Sequence, residues 1–226
     1  MKKLILTAII LLPNFAKAEL RFDFNFPEKQ EKMIRQDMDF MKSLSGDTAT
    51  PLHQQIFKSV TLSGKSYENY FNSRVNIFGF SECSDDAAVI ACVNPLSDVN
   101  KMWITTHYTT FNMPQVYRVS VMIHEARHTE GAHDFYFHEK CPTPFLDESG
   151  KDVKGIFSGV KLEGQEACDN IVTGAYGVEA IFLKNIEKHC LNCNEKVRMD
   201  GRIYGDNLII RIINPSAREA LRRDFK

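Results

Sequence analysis

Met122-Ile123-His124-Glu125-Ala126-Arg127-His128-Thr129-Glu130-Gly131 is the stretch on which the reading of this chain turns. It contains H-E-x-x-H, a pattern in which two histidines share a metal ion and the glutamate works on a water beside it. The spacing has a geometric reason. Residues i and i+4 of an α-helix lie one above the other, so His124 and His128 can point at the same ion. Glu125 projects from a neighbouring position, within reach of a proton on the attacking water.

The helix that carries the motif can be traced backwards. Asn112 is a good N-cap, with Gln115 three residues later in capping-box position and Pro114 tolerated in the first turn. Val116, Val119, Ile123 and Ala126 then recur at helical spacing, predicting a buried stripe beside the H-E-x-x-H face, and Gly131 stops the helix. Before it lie three β-branched or aromatic runs, Arg74 to Phe80, Ala87 to Val93 and Met102 to Thr109, separated by turn residues. They predict a small three-stranded antiparallel meander.

The flanking segments read mainly as helices. Residues 19–26 alternate polar and aromatic and predict an extended lead-in. Pro27 opens a helix with a stripe of Ile34, Met38, Met41 and Leu44 that ends at Gly46. Thr50-Pro51 starts a shorter helix, and a further turn follows over Ser66 to Asn72. Residues 132–162 read as loop and Glu163 to Glu187 as one long helix. Residues 194–213 suit helix or strand, and Pro215 begins a basic final helix. The fold class expected is therefore α+β: a small antiparallel sheet packed on the motif helix, with further helices.

The 226 residues are 43% hydrophobic and 25% charged, with a net charge of −1. This composition suits one globular domain over residues 19–226. Near-neutral charge gives no electrostatic case for nucleic acid as a partner. Residues 1–18 read as a signal peptide: Lys2 and Lys3, an apolar run from Leu4 to Leu12, and Ala16-Lys17-Ala18 as the cleavage site. The run is too short to span a bilayer, and the residue immediately after the cleavage site is Glu19, not a cysteine that could carry a lipid. The expectation is an exported bacterial protein, periplasmic or secreted, with no membrane insertion after cleavage.

All six cysteines follow that site, and in an oxidising compartment an even count favours disulfides. Six cysteines allow fifteen connectivities. The pairing expected is Cys83–Cys92 across a hairpin, Cys141–Cys168, and a small Cys190–Cys193 loop. Redox-active and zinc-binding readings of Cys190-Leu-Asn-Cys193 stand beside that last pairing.

At His124 to Gly131 the chain resembles the zincin metallopeptidases. The set H-E-A-R-H, His138-Glu-Lys-Cys141-Pro142, Ala167-Cys168-Asp169 and Gly174-Ala175-Tyr176 is also similar to that of a group of exported bacterial proteins. The resemblance implies zinc as cofactor, a peptide or protein substrate, and a sheet edge over the motif helix that holds an extended peptide. Met102 to Thr109 is the candidate edge.

Catalytic zinc takes three protein ligands and leaves a position for water. Two would be His124 and His128, and three thirds compete. Asp134 completes H-E-x-x-H-x-x-G-x-x-D, similar to the metzincin arrangement, although Gly131 is equally an ordinary helix stop. His133 stands beside it. His138 is preferred, because a Cys141–Cys168 bond would brace its loop against loss of ordering entropy. Asp169, with Glu163 and Glu166 nearby, is the place from which zincins with a downstream acidic ligand would supply one. Asp169 alternatively accepts a hydrogen bond from a ligand histidine and fixes its tautomer.

Tyr176 shares a helical face with Asp169 and could donate to an oxyanion. Arg127 has a structural role, pairing with a nearby carboxylate. The function expected is an exported zinc peptidase with Glu125 as proton carrier. The rivals are a non-catalytic exported zinc-binding module and a zinc hydrolase acting on cell-wall peptides.

Overall fold

Helix α5 (Gln115–His128) is walled in on almost every side: all its residues from Val116 to His128 except Arg118 are buried. A helix apolar or engaged all round is a central helix, not a surface one. The computed structural model describes residues 20–81, 83, 89–94, 98–130 and 137–226. The expected signal peptide and Asp134 lie outside them, as does His133.

In chain order the elements are β1 (Arg21–Phe22), α1 (Glu28–Ser43), α2 (Pro51–Phe57), α3 (Gly64–Asn72), β2 (Ile77–Phe80), β3 (Ala91–Asn94), β4 (Asp98–Ile104), α4 (His107–Thr110), α5, β5 (Glu139–Lys140), β6 (Glu166–Cys168), α6 (Ala175–His189), α7 (Glu195–Ile210) and α8 (Pro215–Asp224). The class is α+β, a small sheet and a strand pair among helices. Among the described residues no helix is long and apolar enough to cross a membrane.

The antiparallel meander is corrected. The four strands run in the order β1-β2-β4-β3, with β1–β2 and β2–β4 parallel and β4–β3 antiparallel. β4 is inserted between β2 and β3, so it is an interior strand, and β3 is the edge beside the motif helix. Alternation of side chains assigns faces along one strand. It carries no information about which strand lies next door. The lead-in at 19–26 contributes β1, and the run expected to continue to Thr109 leaves the sheet at Ile104 and turns into α4.

Helix α1 is tied to α5 through a buried ion pair. Arg118 Nε and Nη2 donate to the two oxygens of Asp37 at 2.8 and 2.7 Å, and the Tyr108 hydroxyl donates to the same carboxylate at 2.9 Å. Asp37 itself is fully buried, so the fork geometry of Arg118 supplies the partner that its burial demands. On the other side of α5, helix α6 brings Val178, Ile181, Phe182 and Ile186, all fully buried, into the same core. Helix α7 covers α6 closely: a Cβ on Gly201 would meet the Leu183 carbonyl at 2.7 Å.

Two helix boundaries differ from expectation. Helix α5 begins at Gln115 with Pro114 as N-cap and no side-chain cap, so Asn112 does not cap it. The long helix expected over 163–187 begins only at Ala175. Residues Glu166–Cys168 pair with β5, and Asp169 bridges in parallel to Ile212, so the segment is committed to strand hydrogen bonds. Ile171, which one helix over 163–187 would put on the same face as the buried Val178, is 45% exposed. The ambiguous stretch 194–213 is settled as helix α7, with the Asn194 side chain accepting from Val197 N–H.

The three cysteine pairs are Cys83–Cys92, Cys141–Cys168 and Cys190–Cys193, with no free cysteine. The last closes a short loop at the end of α6, with its sulfurs bonded to each other and not held as a metal ligand pair.

A candidate metal centre of three histidines

The site is assembled from two structural ideas, a helix and a strand pair. Helix α5 presents His124 and His128 one turn apart, as the i, i+4 rule requires. The third group comes from the register of β5 against β6. Glu139 lies opposite Cys168, so His138 and Asp169, one residue further along each strand, face one another. The Cys141–Cys168 bond closes the same strand pair from the other end.

The three imidazole Nε2 atoms form a nearly equilateral triangle: His124 to His128 3.2 Å, His124 to His138 3.2 Å, and His128 to His138 3.1 Å. These histidines could hold a metal ion. A tetrahedral ion with metal–nitrogen bonds of about 2.0–2.1 Å needs nitrogens about 3.3 Å apart. The donor set fits for a second reason. His124 Nδ1 faces Glu179 Oε2 at 3.0 Å, and His138 Nδ1 faces Asp169 Oδ1 at 2.9 Å. With each Nδ1–H donated to a carboxylate, both Nε2 atoms turn lone pairs into the triangle. One proton can bridge one pair of nitrogens, not three, whereas a cation satisfies them all.

Asp169 stands behind His138 and outside the metal group. Its other oxygen accepts the Tyr176 backbone N–H at 2.8 Å and so caps helix α6. Gly174 permits this approach, since a Cβ there would fall 2.4 Å from Asp169 Oδ2. Burial opposes ionisation of Asp169, but the His138 hydrogen bond and the Tyr176 N–H together hold its pKa below the ordinary value. Burial acts first on His124, and the neighbouring His138 adds to it, pushing its pKa well below the model-peptide value and keeping it neutral.

Glu125 points into the same cavity of about 630 Å³ as the three histidines. Burial first, then the nearby charge of Glu179, raise its pKa to about 8, partly offset by a hydrogen bond from the Val93 backbone on edge strand β3. Residues of β3 form one wall of the cavity, and residues 155–167 contribute to another. The Tyr176 ring stacks on His138 with centroids 4.3 Å apart and meets His124 edge-on at 4.6 Å. Burial raises its hydroxyl pKa to about 12, so it is a donor at neutral pH. Arg127 donates to the Thr173 carbonyl and pairs with Glu130, a structural role. Glu163 and Glu166 are not members of the histidine group.

Two residues of the site escape the sequence reading. Glu179 and Arg211 both reach the cavity wall. Glu179 also accepts the Ser120 hydroxyl at 2.8 Å, and burial raises its pKa to about 7. The available signal was a lone acid inside the apolar run Val178 to Leu183. Carboxylates behind ligand histidines are commonly worth 10–100-fold in metal affinity. Glu179→Gln should therefore weaken metal binding about tenfold in a chelator competition titration. Unchanged affinity would remove Glu179 from the site.

No family model, curated protein or solved structure matches the chain. Functional inference therefore rests on the site itself.

Proposed function

We propose that this chain is an exported zinc-dependent peptidase. The observation that carries the reading is the nitrogen triangle of His124, His128 and His138 with Glu125 in the same cavity. Zinc in that triangle would supply a Lewis acid for a carbonyl oxygen and acidify water towards neutrality. Glu125, in the ionised form that a cation at the histidines would favour, takes a proton from the attacking water and returns it to the departing amine. Tyr176 remains protonated and is available as a donor to the oxyanion. Strand β3, at the edge of the sheet beside Glu125, is where an extended peptide or protein substrate would lie. Three disulfides suit an oxidising, exported location.

The test is metal content and turnover together. Purified protein should carry about one zinc per chain. Casein hydrolysis should stop on chelation and return when zinc is restored. Metal-free protein that hydrolyses casein as fast as metal-loaded protein would sink the reading. Turnover of purified cell-wall sacculi but not casein would reassign the substrate to cell-wall peptides.

A further inference from the structure

Arg211 is a buried cation in the cavity wall that the proposed chemistry leaves unused. It is 8% exposed, yet it lines the cavity that holds the three histidines. Its guanidinium carbon lies 4.5 Å from the centroid of the Tyr176 ring, and that ring stacks on His138. One aromatic ring thus links Arg211 to the histidine cluster. Its position is fixed by the backbone as well, because Asp169, which holds His138, donates its N–H to the Arg211 carbonyl at 2.9 Å.

Arg211 differs from Arg118 and Arg127 in forming no ion pair with a carboxylate among the described residues. Arg118 has both oxygens of Asp37, and Arg127 has Glu130. Among the described residues no carboxylate makes an ion pair with Arg211, and its Nε has no hydrogen-bond partner. The Tyr176 hydroxyl is a hydrogen-bond partner of the guanidinium and Glu179 is a charged neighbour, but Glu179 is oriented towards Ser120 and His124. A phenol and a neighbouring charge compensate the buried guanidinium only in part and leave the Nε donor unpaired, and its planar fork matches a carboxylate.

We propose that Arg211 receives a carboxylate of the peptide bound at the histidine cluster, and so sets specificity for an acid close to the scissile bond. The inference rests on the peptidase reading. The carboxylate has two sources in a peptide, the free C-terminus or an Asp or Glu side chain. Both offer the same two oxygens to the fork.

Metal-loaded Glu125→Gln protein, in which the peptide is held but not processed, provides the parent for a binding experiment. Three blocked peptides of one length are titrated by calorimetry: a free acid, its C-terminal amide, and an amide with glutamate as the last residue. The parent should bind one or both carboxylate peptides at least about tenfold tighter than the plain amide. Which of them does so identifies the source. Adding Arg211→Gln should bring the ratio close to one. Should that variant not fold, Arg211→Lys is read instead. Its preference should fall at least about threefold, because lysine lacks the planar fork.

A parent with no preference, a parent that binds none of the peptides, or a preference that survives these substitutions overturns the role of Arg211. An Arg211-dependent preference in a protein whose wild type hydrolyses no peptide upholds the carboxylate site and removes only the peptidase reading.

Discussion

Glu125→Gln should leave the metal bound and cut hydrolysis about 10³-fold. Glutamine keeps the shape of the side chain and can still reach the Val93 N–H, but it cannot accept a proton. Glu125 is outside the histidine group, so metal content by mass spectrometry should equal that of the wild type. A variant that retains full turnover would rule out the glutamate as proton carrier.

The same substitution has a stability signature in the metal-free protein. The folded-state pKa of Glu125 is raised to about 8, mainly by burial. A raised carboxyl contributes stability that is full below the unfolded pKa of about 4.3 and is lost as pH rises towards 8. Metal-free Glu125→Gln lacks that loss. Relative to metal-free wild type it should gain stability between pH 5 and pH 9, read as urea midpoints. A relative loss over the same range would contradict the burial of this group.

The second large effect separates the candidate third ligands. His138→Ala should weaken metal binding by more than about 100-fold, beyond the range of a supporting carboxylate. Asp169→Asn should fall within the range of about 10–100-fold, because it orients His138 without touching the ion. Asp134→Ala should leave the affinity unchanged. Zinc lost from the Asp134 variant and kept by the His138 variant would replace the nitrogen triangle as the site.

His124, Glu125 and His128 were legible because a helix converts sequence spacing directly into a shared face. His138 could be favoured from its neighbourhood to Cys141, but its competition with Asp134 could not be closed. A loop residue has no period from which to compute direction. The β5–β6 register supplied what was missing, placing His138 opposite Asp169 and giving that aspartate its two hydrogen bonds. Glu179 and Arg211 were missed for a related reason. A charged residue inside an apolar helix stretch, or at the end of a helix, reads as a boundary or a snorkelling side chain until its surroundings are known.

The strands show the same division. The hydrophobic runs located β2, β3 and β4, and turn residues separated them. The insertion of β4 between β2 and β3, which leaves β3 as the edge above Glu125, is a choice among neighbours that alternation does not encode. Helix α6 started late because pairing of Glu166–Cys168 and Asp169 with distant backbone outweighed a local helical period. Sequence by itself determined the α+β class, the motif helix with its two histidines and glutamate, and the chemistry they suit. Tertiary structure alone brought together the third nitrogen, the carboxylates behind two of the three, the edge strand, and the buried arginine in the cavity wall. Each of these depends on which distant backbone segments come side by side, and that is fixed by packing and pairing across the whole chain.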